Sequence, residues 1–185
     1  MGPRRDCPPS DATSPGRRSV IAAFLGAAAI SAAPPLYAAA PATEEDERYM
    51  RMAIEEARRA DYPFGAVIVR DGSVIARGRN LGRTRGDPTA HGEMVAIRRC
   101  LASHGSEALK GATLYTSGES CAMCTGAILW CHIDRLVFAA SVQQIARKIN
   151  QITVSSAEIA EHAPFAPISI TGGVLADEAM RLFDK

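Results

Sequence analysis

Residues 112–131 read ATLYTSGESCAMCTGAILWC, and this segment is the most informative one about the architecture. The apolar run Ala112–Thr116 is typical of a buried strand, and the stretch Cys121–Cys131 is typical of a helix. Cys121 and Cys124 open that helix at positions i and i+3, so both thiols lie on one face, close enough to share one ion. The N–H groups and the dipole at a helix N-terminus favour thiolates. The segment therefore predicts a strand followed by a helix that begins with two potential metal ligands.

A second helix start carries the complementary chemistry. Residues 88–93 read PTAHGE, and a helix is predicted from about Ala90 to Ser103. His91 added to the two cysteines gives three nitrogen and sulfur ligands of the kind that Zn²⁺ prefers, with a fourth position open for water. Glu93, two residues from His91, is the carboxylate available to move a proton. These positions predict a catalytic zinc site with Glu93 as its base.

Each of these residues has an alternative interpretation. Cys121 and Cys124 could instead form a redox-active pair, or a structural disulfide in an oxidising compartment. Glu93 could be a solvated acid in the first turn of a helix. The presence of His91 and Glu93 at fixed spacing favours a catalytic metal site over these alternatives.

The other segments alternate between helix and strand signals, which is typical of an α/β domain. Thr43 followed by three acidic residues predicts the start of a helix that runs to about Ala60. Asp71-Gly72 between two β-branched runs predicts a hairpin turn. The remaining predicted elements are strands at 64–69, 73–77, 136–139 and 167–170 and helices at 142–149 and 175–183.

Several motifs resemble the cytidine and deoxycytidylate deaminase superfamily, most closely the bacterial guanine deaminase and nucleoside deaminase branch. The order H-x-E followed by C-x-x-C is similar to the zinc deaminase signature. The resemblance covers about residues 45–140. The segments that carry it are PFGAVIV (63–69), GRN (78–80), DPTAHGE (87–93), LYTS (114–117) and CAMCTGAI (121–128).

The resemblance implies a three-layer α/β/α sandwich around a mixed five-stranded sheet, and a homodimer. It implies that Asn80 holds the substrate, that the ring of Phe64 stacks on it, and that Trp130 lies near the pocket.

The sequence departs from the family pattern at three places. Gly92 stands where the family has alanine, and Ser120 stands where it has proline. The guanine deaminases resembled here carry an acidic pair that contacts the base amine, and residues 141–151 contain no such pair.

The first 42 residues differ in composition from the rest. Arginines precede an apolar run, Val20–Ile30, which at about 1.5 Å per residue is too short to cross a bilayer. An A-x-A pattern follows, so residues 1–42 are predicted to be a signal peptide rather than a membrane anchor. Arg17-Arg18 is similar to the twin-arginine type. This predicts a periplasmic or secreted protein whose deaminase domain is residues 43–185.

Composition limits the possible partners. Hydrophobic residues make up 47% of the chain, which is enough for one sizeable core. Residues 1–42 carry four arginines and two aspartates, so the other 143 residues have 17 basic and 18 acidic side chains, a net charge of −1. That balance does not favour a nucleic-acid partner.

Three functions are consistent with these observations. The favoured one is zinc-dependent hydrolytic deamination of a free nucleobase or nucleoside, a guanine-like purine first, with water as co-substrate. The second is deamination of an adenosine in tRNA, against which the net charge and the predicted export both count. The third is a non-catalytic binding module on the same fold, which the intact set of site residues disfavours.

Overall fold

A computed structural model describes residues 37–39 and 41–184. The helices are α1 (Glu44–Arg58), α2 (Gly82–Arg85), α3 (Gly92–His104), α4 (Ala122–Trp130), α5 (Val142–Ile145), α6 (Ser156–Glu161) and α7 (Ala176–Met180). The strands are β1 (Tyr37–Ala39), β2 (Gly65–Arg70), β3 (Ser73–Arg79), β4 (Thr113–Gly118), β5 (Arg135–Ala140) and β6 (Ile168–Thr171). Short 3₁₀ turns follow α3 and α7 at Ser106–Ala108 and Arg181–Phe183.

The strands form one mixed sheet in the order β1-β6-β5-β4-β2-β3. β2 runs antiparallel to both β3 and β4, whereas β4, β5, β6 and β1 are mutually parallel. The five strands from β2 to β6 confirm the mixed five-stranded sheet. β1 adds a three-residue sixth strand beside β6, which was not predicted.

Alternate residues of the central strands face two separate core clusters. In β2, Ile68 packs in a cluster with residues of α3, α4 and α6, whereas Val67 packs in a cluster with residues of α1 and α7. Leu114 and Tyr115 of β4 divide in the same way. The strand period of two residues therefore gives the sheet two buried faces, each covered by helices, and confirms the three-layer sandwich.

Local sequence signals account for the boundaries near the site. Asp71 and Gly72 both adopt positive φ values, 50° and 71°, as a tight hairpin between β2 and β3 requires. Gly78 in β3 lies directly against the start of α3, where a Cβ atom would collide with the backbone oxygen of Gly92. This close approach fixes the first turn of α3, which carries two of the predicted site residues, against the sheet.

Four helices differ from the prediction, and the first of them, α2, lies in a segment for which no helix was predicted. α5 ends at Ile145 rather than near Ile149, and α7 is followed by a 3₁₀ turn instead of continuing to Phe183. α6 was not predicted, although Ser155 and Glu158 form a capping box that marks its start.

The predicted leader lies mostly outside the described residues. Only the backbone of strand β1 and residues 41–42 of that segment are described. The signal peptide and the periplasmic location therefore stay predictions. Among the described residues, no helix is long and apolar enough to span a membrane.

A buried ion pair joins α1 to the sheet. Asp46 is 1% exposed and accepts from both terminal nitrogens of Arg135, at 2.7 and 3.0 Å. It also accepts from the Tyr115 hydroxyl at 2.9 Å and from the Thr43 backbone at 2.8 Å, which completes the cap of α1. Burial raises the pKa of this carboxyl, but the hydrogen bonds from Arg135, Thr43 and Tyr115 outweigh it and hold the pKa below its ordinary value.

Asp46→Asn is expected to lower the free energy of unfolding by about 3 kcal/mol at pH 7, because it leaves Arg135 without its partner. A carboxyl with a lowered folded-state pKa contributes stability above its unfolded-state pKa, and that contribution is lost as the pH falls through the folded-state value. The difference between wild type and variant should therefore shrink below about pH 4. Urea unfolding from pH 3 to 7 measures it, with Glu47→Gln at an exposed pair with Arg51 as the control. A pH-independent difference would contradict the assignment.

Candidate active site

Two helix N-termini bring the three predicted ligands together. His91 is the N-cap residue of α3, and Cys121 is the N-cap residue of α4. His91 Nδ1 lies 3.6 Å from the Sγ atom of Cys121 and 3.6 Å from that of Cys124. All three ligand atoms lie within 4.8 Å of one another. The interpretation of the cysteine pair as part of a metal site is thereby favoured over a disulfide, since both thiols are free.

The geometry fits zinc. A tetrahedral ion with Zn–S and Zn–N bonds of about 2.3 and 2.1 Å separates a nitrogen and a sulfur ligand by about 3.6 Å. Both nitrogen–sulfur distances in this site have that value. The donor set of one imidazole and two thiols is also the kind that zinc selects over the hard cations. The residues present therefore fit the zinc ion that their pattern predicts.

The electrostatics of the ligands agree with this fit. Cys121 has its pKa lowered to about 4, first by the hydrogen bond from the Cys124 thiol and further by His91 and the Cys124 backbone N–H, against an opposing effect of burial. The same bond to Cys121, together with burial, raises the pKa of Cys124. The bond to Cys121 also raises the pKa of His91. The cluster thus holds protons that a divalent cation would displace on binding.

Glu93 lies in the first turn of α3 and is 4% exposed. Its Oε1 accepts a hydrogen bond of 3.0 Å from the Ser120 hydroxyl. Burial raises the pKa of Glu93, and the nearby Cys121 thiolate adds to that rise. A carboxyl with a raised pKa, two residues from a metal ligand, has the properties of a group that both accepts and returns a proton.

These residues open onto one cavity of about 740 Å³. Its wall includes five of the predicted residues, namely Phe64, Asn80, His91, Glu93 and Cys121. Cys124 is fully buried behind them. Residues 149–152, Tyr62 and Arg83 also line the cavity.

Asn80 is 4% exposed, and both its backbone and its side chain make hydrogen bonds. Its backbone N–H donates to the Phe64 carbonyl at 2.9 Å, and its Oδ1 accepts from the Gly82 backbone at 3.0 Å. Because Oδ1 is engaged, the Nδ2 group is the one available to donate to a ligand in the cavity.

Phe64 is half-buried and contributes its ring to the cavity wall. The same ring packs edge-on against Phe183, with ring centroids 5.5 Å apart. The C-terminal turn therefore supports the ring that was predicted to stack on the substrate.

Trp130 is not brought to the cavity. It lies at the C-terminal end of α4, is 73% exposed, and stacks on Phe165 with centroids 4.6 Å apart. The physical reason is helix length, since nine residues after Cys121 correspond to about 13 Å along a helix axis. Trp130 is therefore not part of the cavity wall of this chain, and its role near the substrate stays a prediction.

Other cavity residues had no signal in the sequence. The segment 149–152 follows a helix that ends earlier than predicted, and no spacing links it to the ligands. Glu119 faces the cavity, yet its oxygens accept from Val142 N at 2.9 Å and from Ser156 N and Oγ at 2.8 Å. Glu119 lies two residues before Cys121 in the sequence, but its hydrogen-bond partners lie more than twenty residues further along the chain.

Comparisons with known proteins place the chain in a family. Residues 43–140 match the family described as the cytidine and deoxycytidylate deaminase zinc-binding region. The guanine deaminase of Bacillus subtilis (strain 168) is 39% identical over 126 residues, which cover 65% of this chain and 81% of that protein. The tRNA-specific adenosine deaminase of the same organism is 42% identical over 100 residues, covering 52% of this chain and 62% of that protein.

A solved structure has the same architecture. It comes from studies of tRNA deaminases that edit A to I at the wobble position, and it aligns with a TM-score of 0.63 at 34% identity. The alignment covers 73% of this chain and 98% of that one. On the matched sequence, the shared fold and the three ligands at two helix starts, the chain belongs to the cytidine and deoxycytidylate deaminase zinc-binding family.

Proposed function

We propose that the protein is a hydrolase that deaminates a free nucleobase or nucleoside, with a guanine-like purine as the favoured substrate. The observation that carries the proposal is that Glu93 and the zinc ligands open onto the same cavity as Asn80 and Phe64. A proton-transfer group, a metal site and substrate-binding groups are thus assembled around one space of ligand size.

The reaction replaces an exocyclic amine with an oxygen from water and releases ammonia. Zinc held by His91, Cys121 and Cys124 would supply a Lewis acid, which would make a water molecule more acidic and so a better nucleophile toward the carbon bearing the amine. Glu93 takes a proton from that water and delivers it to the adjacent ring nitrogen. It then takes the proton of the newly added hydroxyl group and passes it to the amine, so that ammonia leaves as the carbonyl forms. The burial of Glu93 helps it to alternate between the two forms, because burial raises its pKa and so favours the protonated form more than water would.

The cavity wall suits a planar, neutral heterocycle. Tyr62 and Phe64 offer aromatic faces, and Asn80 offers an amide donor. Asn150 and Gln151 add two further amides to the cavity wall. The oxygens of Glu119 are engaged by Val142 and Ser156, so among the described lining residues the recognition groups besides Glu93 are neutral amides, aromatic rings and Arg83.

One observation favours the second candidate, deamination of an adenosine within tRNA. A smaller cavity of about 370 Å³ shares Tyr62, Arg83 and Ile149 with the main one and also includes Arg58. The two cavities therefore adjoin, and together they offer room and positive charge for nucleotides that flank a target base. The net charge of −1 on residues 43–185 and the predicted export support the free base instead.

Ammonia release from the purified protein separates these candidates. The panel contains guanine, adenine, cytosine, their nucleosides and an RNA stem-loop with an unpaired adenosine. We expect turnover of a purine base or nucleoside, with little dependence on salt. RNA as the main substrate would show a steep loss of rate with added salt, because phosphate contacts release counterions.

A matched pair of variants sharpens the result. Arg83 lines both cavities, whereas Arg85 on the same short helix lines neither. Arg83→Gln should lower kcat/KM for RNA far more than Arg85→Gln does, and should change turnover of a free base much less. Activity on the RNA alone would overturn the proposed substrate.

A further inference from the structure

We infer that Ser120 is a positioning residue for Glu93, an inference that rests on the proposed function. The zinc deaminase signature has a proline directly before the first cysteine of C-x-x-C. This chain has Ser120 there, between the end of β4 and the N-cap of α4. A proline has no side-chain donor and no backbone N–H, so the serine brings to this position a group that the signature residue lacks.

The Ser120 hydroxyl has one donor proton, and it points at the proposed base. Its Oγ donates to Glu93 Oε1 at 3.0 Å, with Ser120 fully buried and Glu93 4% exposed. The Ser120 carbonyl accepts from the Thr125 hydroxyl at 3.0 Å, so the residue is held from the first turn of α4 as well. A hydrogen bond to a charged, buried carboxylate is among the stronger ones in proteins. It fixes the position of Oε1, and with it the orientation of the Glu93 carboxylate.

The loop does not need a proline to stay in place, because Glu119 anchors it. The Glu119 backbone N–H donates to the Ala140 carbonyl at 2.7 Å. Its carboxylate accepts from the N-termini of α5 and α6, at Val142 and Ser156. These bonds tie the loop to three separate elements. Serine can therefore replace the proline without loosening the loop, and its hydroxyl is available to Glu93.

Ser120→Ala tests the inference, since it removes the hydroxyl and keeps the backbone. We expect kcat to fall roughly ten- to hundredfold, the effect of losing a hydrogen bond to a charged group. KM for the substrate and zinc content per chain should stay unchanged. Ser120→Thr keeps the hydroxyl and should retain more activity than Ser120→Ala. Ser120→Pro restores the signature residue without a donor, so it should behave like Ser120→Ala.

Two controls separate positioning from a general loss of packing. Thr116→Val removes a buried hydroxyl that donates to the Gly118 carbonyl on the same strand, away from Glu93. It should lower the melting temperature without changing kcat. In a Glu93→Gln background, Ser120→Ala should cause no further loss of the residual rate, because the two residues act through one carboxylate.

A readout independent of turnover completes the experiment. NMR spectra are recorded on protein labelled with ¹³C at the glutamate side-chain carboxyl. The Glu93 resonance is identified as the one that disappears in Glu93→Gln. Ser120→Ala should shift this signal, and Thr116→Val should leave it in place. An unmoved signal, or a shifted signal with kcat intact, would overturn the inference. If wild type turns over no member of the substrate panel, the proposed function is overturned instead, and the Glu93 signal distinguishes that failure from the first.

Discussion

Cys124→Ala is expected to yield a protein without zinc and without deaminase activity. Cys124 is fully buried and its Sγ lies 3.6 Å from His91 Nδ1, so alanine removes one of the three predicted ligands. Two protein ligands hold zinc far less well than three, and the cavity gains no other donor from the change. Metal analysis of purified protein should fall from about one zinc per chain to a trace.

Cys131→Ala is the matched control for this variant. Cys131 is the C-cap residue at the other end of the same helix and is half-buried, so its loss also removes a thiol from α4. The Cys131→Ala variant should retain its zinc and the wild-type kcat. A wild-type preparation that is shown to be free of metal and yet fully active would contradict the zinc site itself.

The site ligands could be predicted because the chemistry depends on local sequence. His91 and Cys121 are N-cap residues, and Cys124 follows within one turn, so short spacings place all three on helix starts. The meeting of α3 and α4 follows from the sheet, since both helices cover the face of β2 and β4 that carries Ile68 and Leu114. The short spacings at the two helix starts therefore predict the ligands. The two-residue period of the strands predicts which side chains face each side of the sheet.

The remainder of the cavity depends on contacts between distant segments. The wall at 149–152 reaches the ligands only through the path of the chain after α5, and nothing in its composition marks it as part of a site. The hydrogen bonds of Glu119 connect it with Val142 and Ser156, which no spacing rule relates. Sequence patterns give periodicity and caps, but they do not give the direction in which a loop folds back.

Trp130 differs from the ligands in its place on α4. Cys121 caps the N-terminus of this helix, whereas Trp130 lies at the other end, about 13 Å along the axis, and is not among the residues that line the cavity. The residue instead pairs with Phe165 on the exposed side of the domain. A family motif therefore transfers most safely for residues in the first turn of a helix that faces the site.

Glu93→Gln is expected to keep zinc and lose at least about 10²-fold in kcat, the low end for a positioned general base. Glutamine has the same shape and can still accept the 3.0 Å hydrogen bond from Ser120, so the cavity wall is preserved. It cannot accept a proton, however, and each step proposed for Glu93 needs one to be taken up or released. Zinc content, melting temperature and ammonia release should be measured on the same preparation.

Glu93→Asp distinguishes the charge of the base from its position. Aspartate keeps the carboxylate but is one methylene shorter, so it withdraws from both Ser120 and the substrate side of the cavity. Because proton transfer requires hydrogen-bond reach, a correctly charged but withdrawn base should recover only part of the rate. An activity order of wild type, aspartate and then glutamine would show that the reaction needs both the proton acceptor and the place where Ser120 holds it. If Glu93→Gln retains a rate near that of wild type, another group moves the proton and the role assigned to Glu93 is wrong.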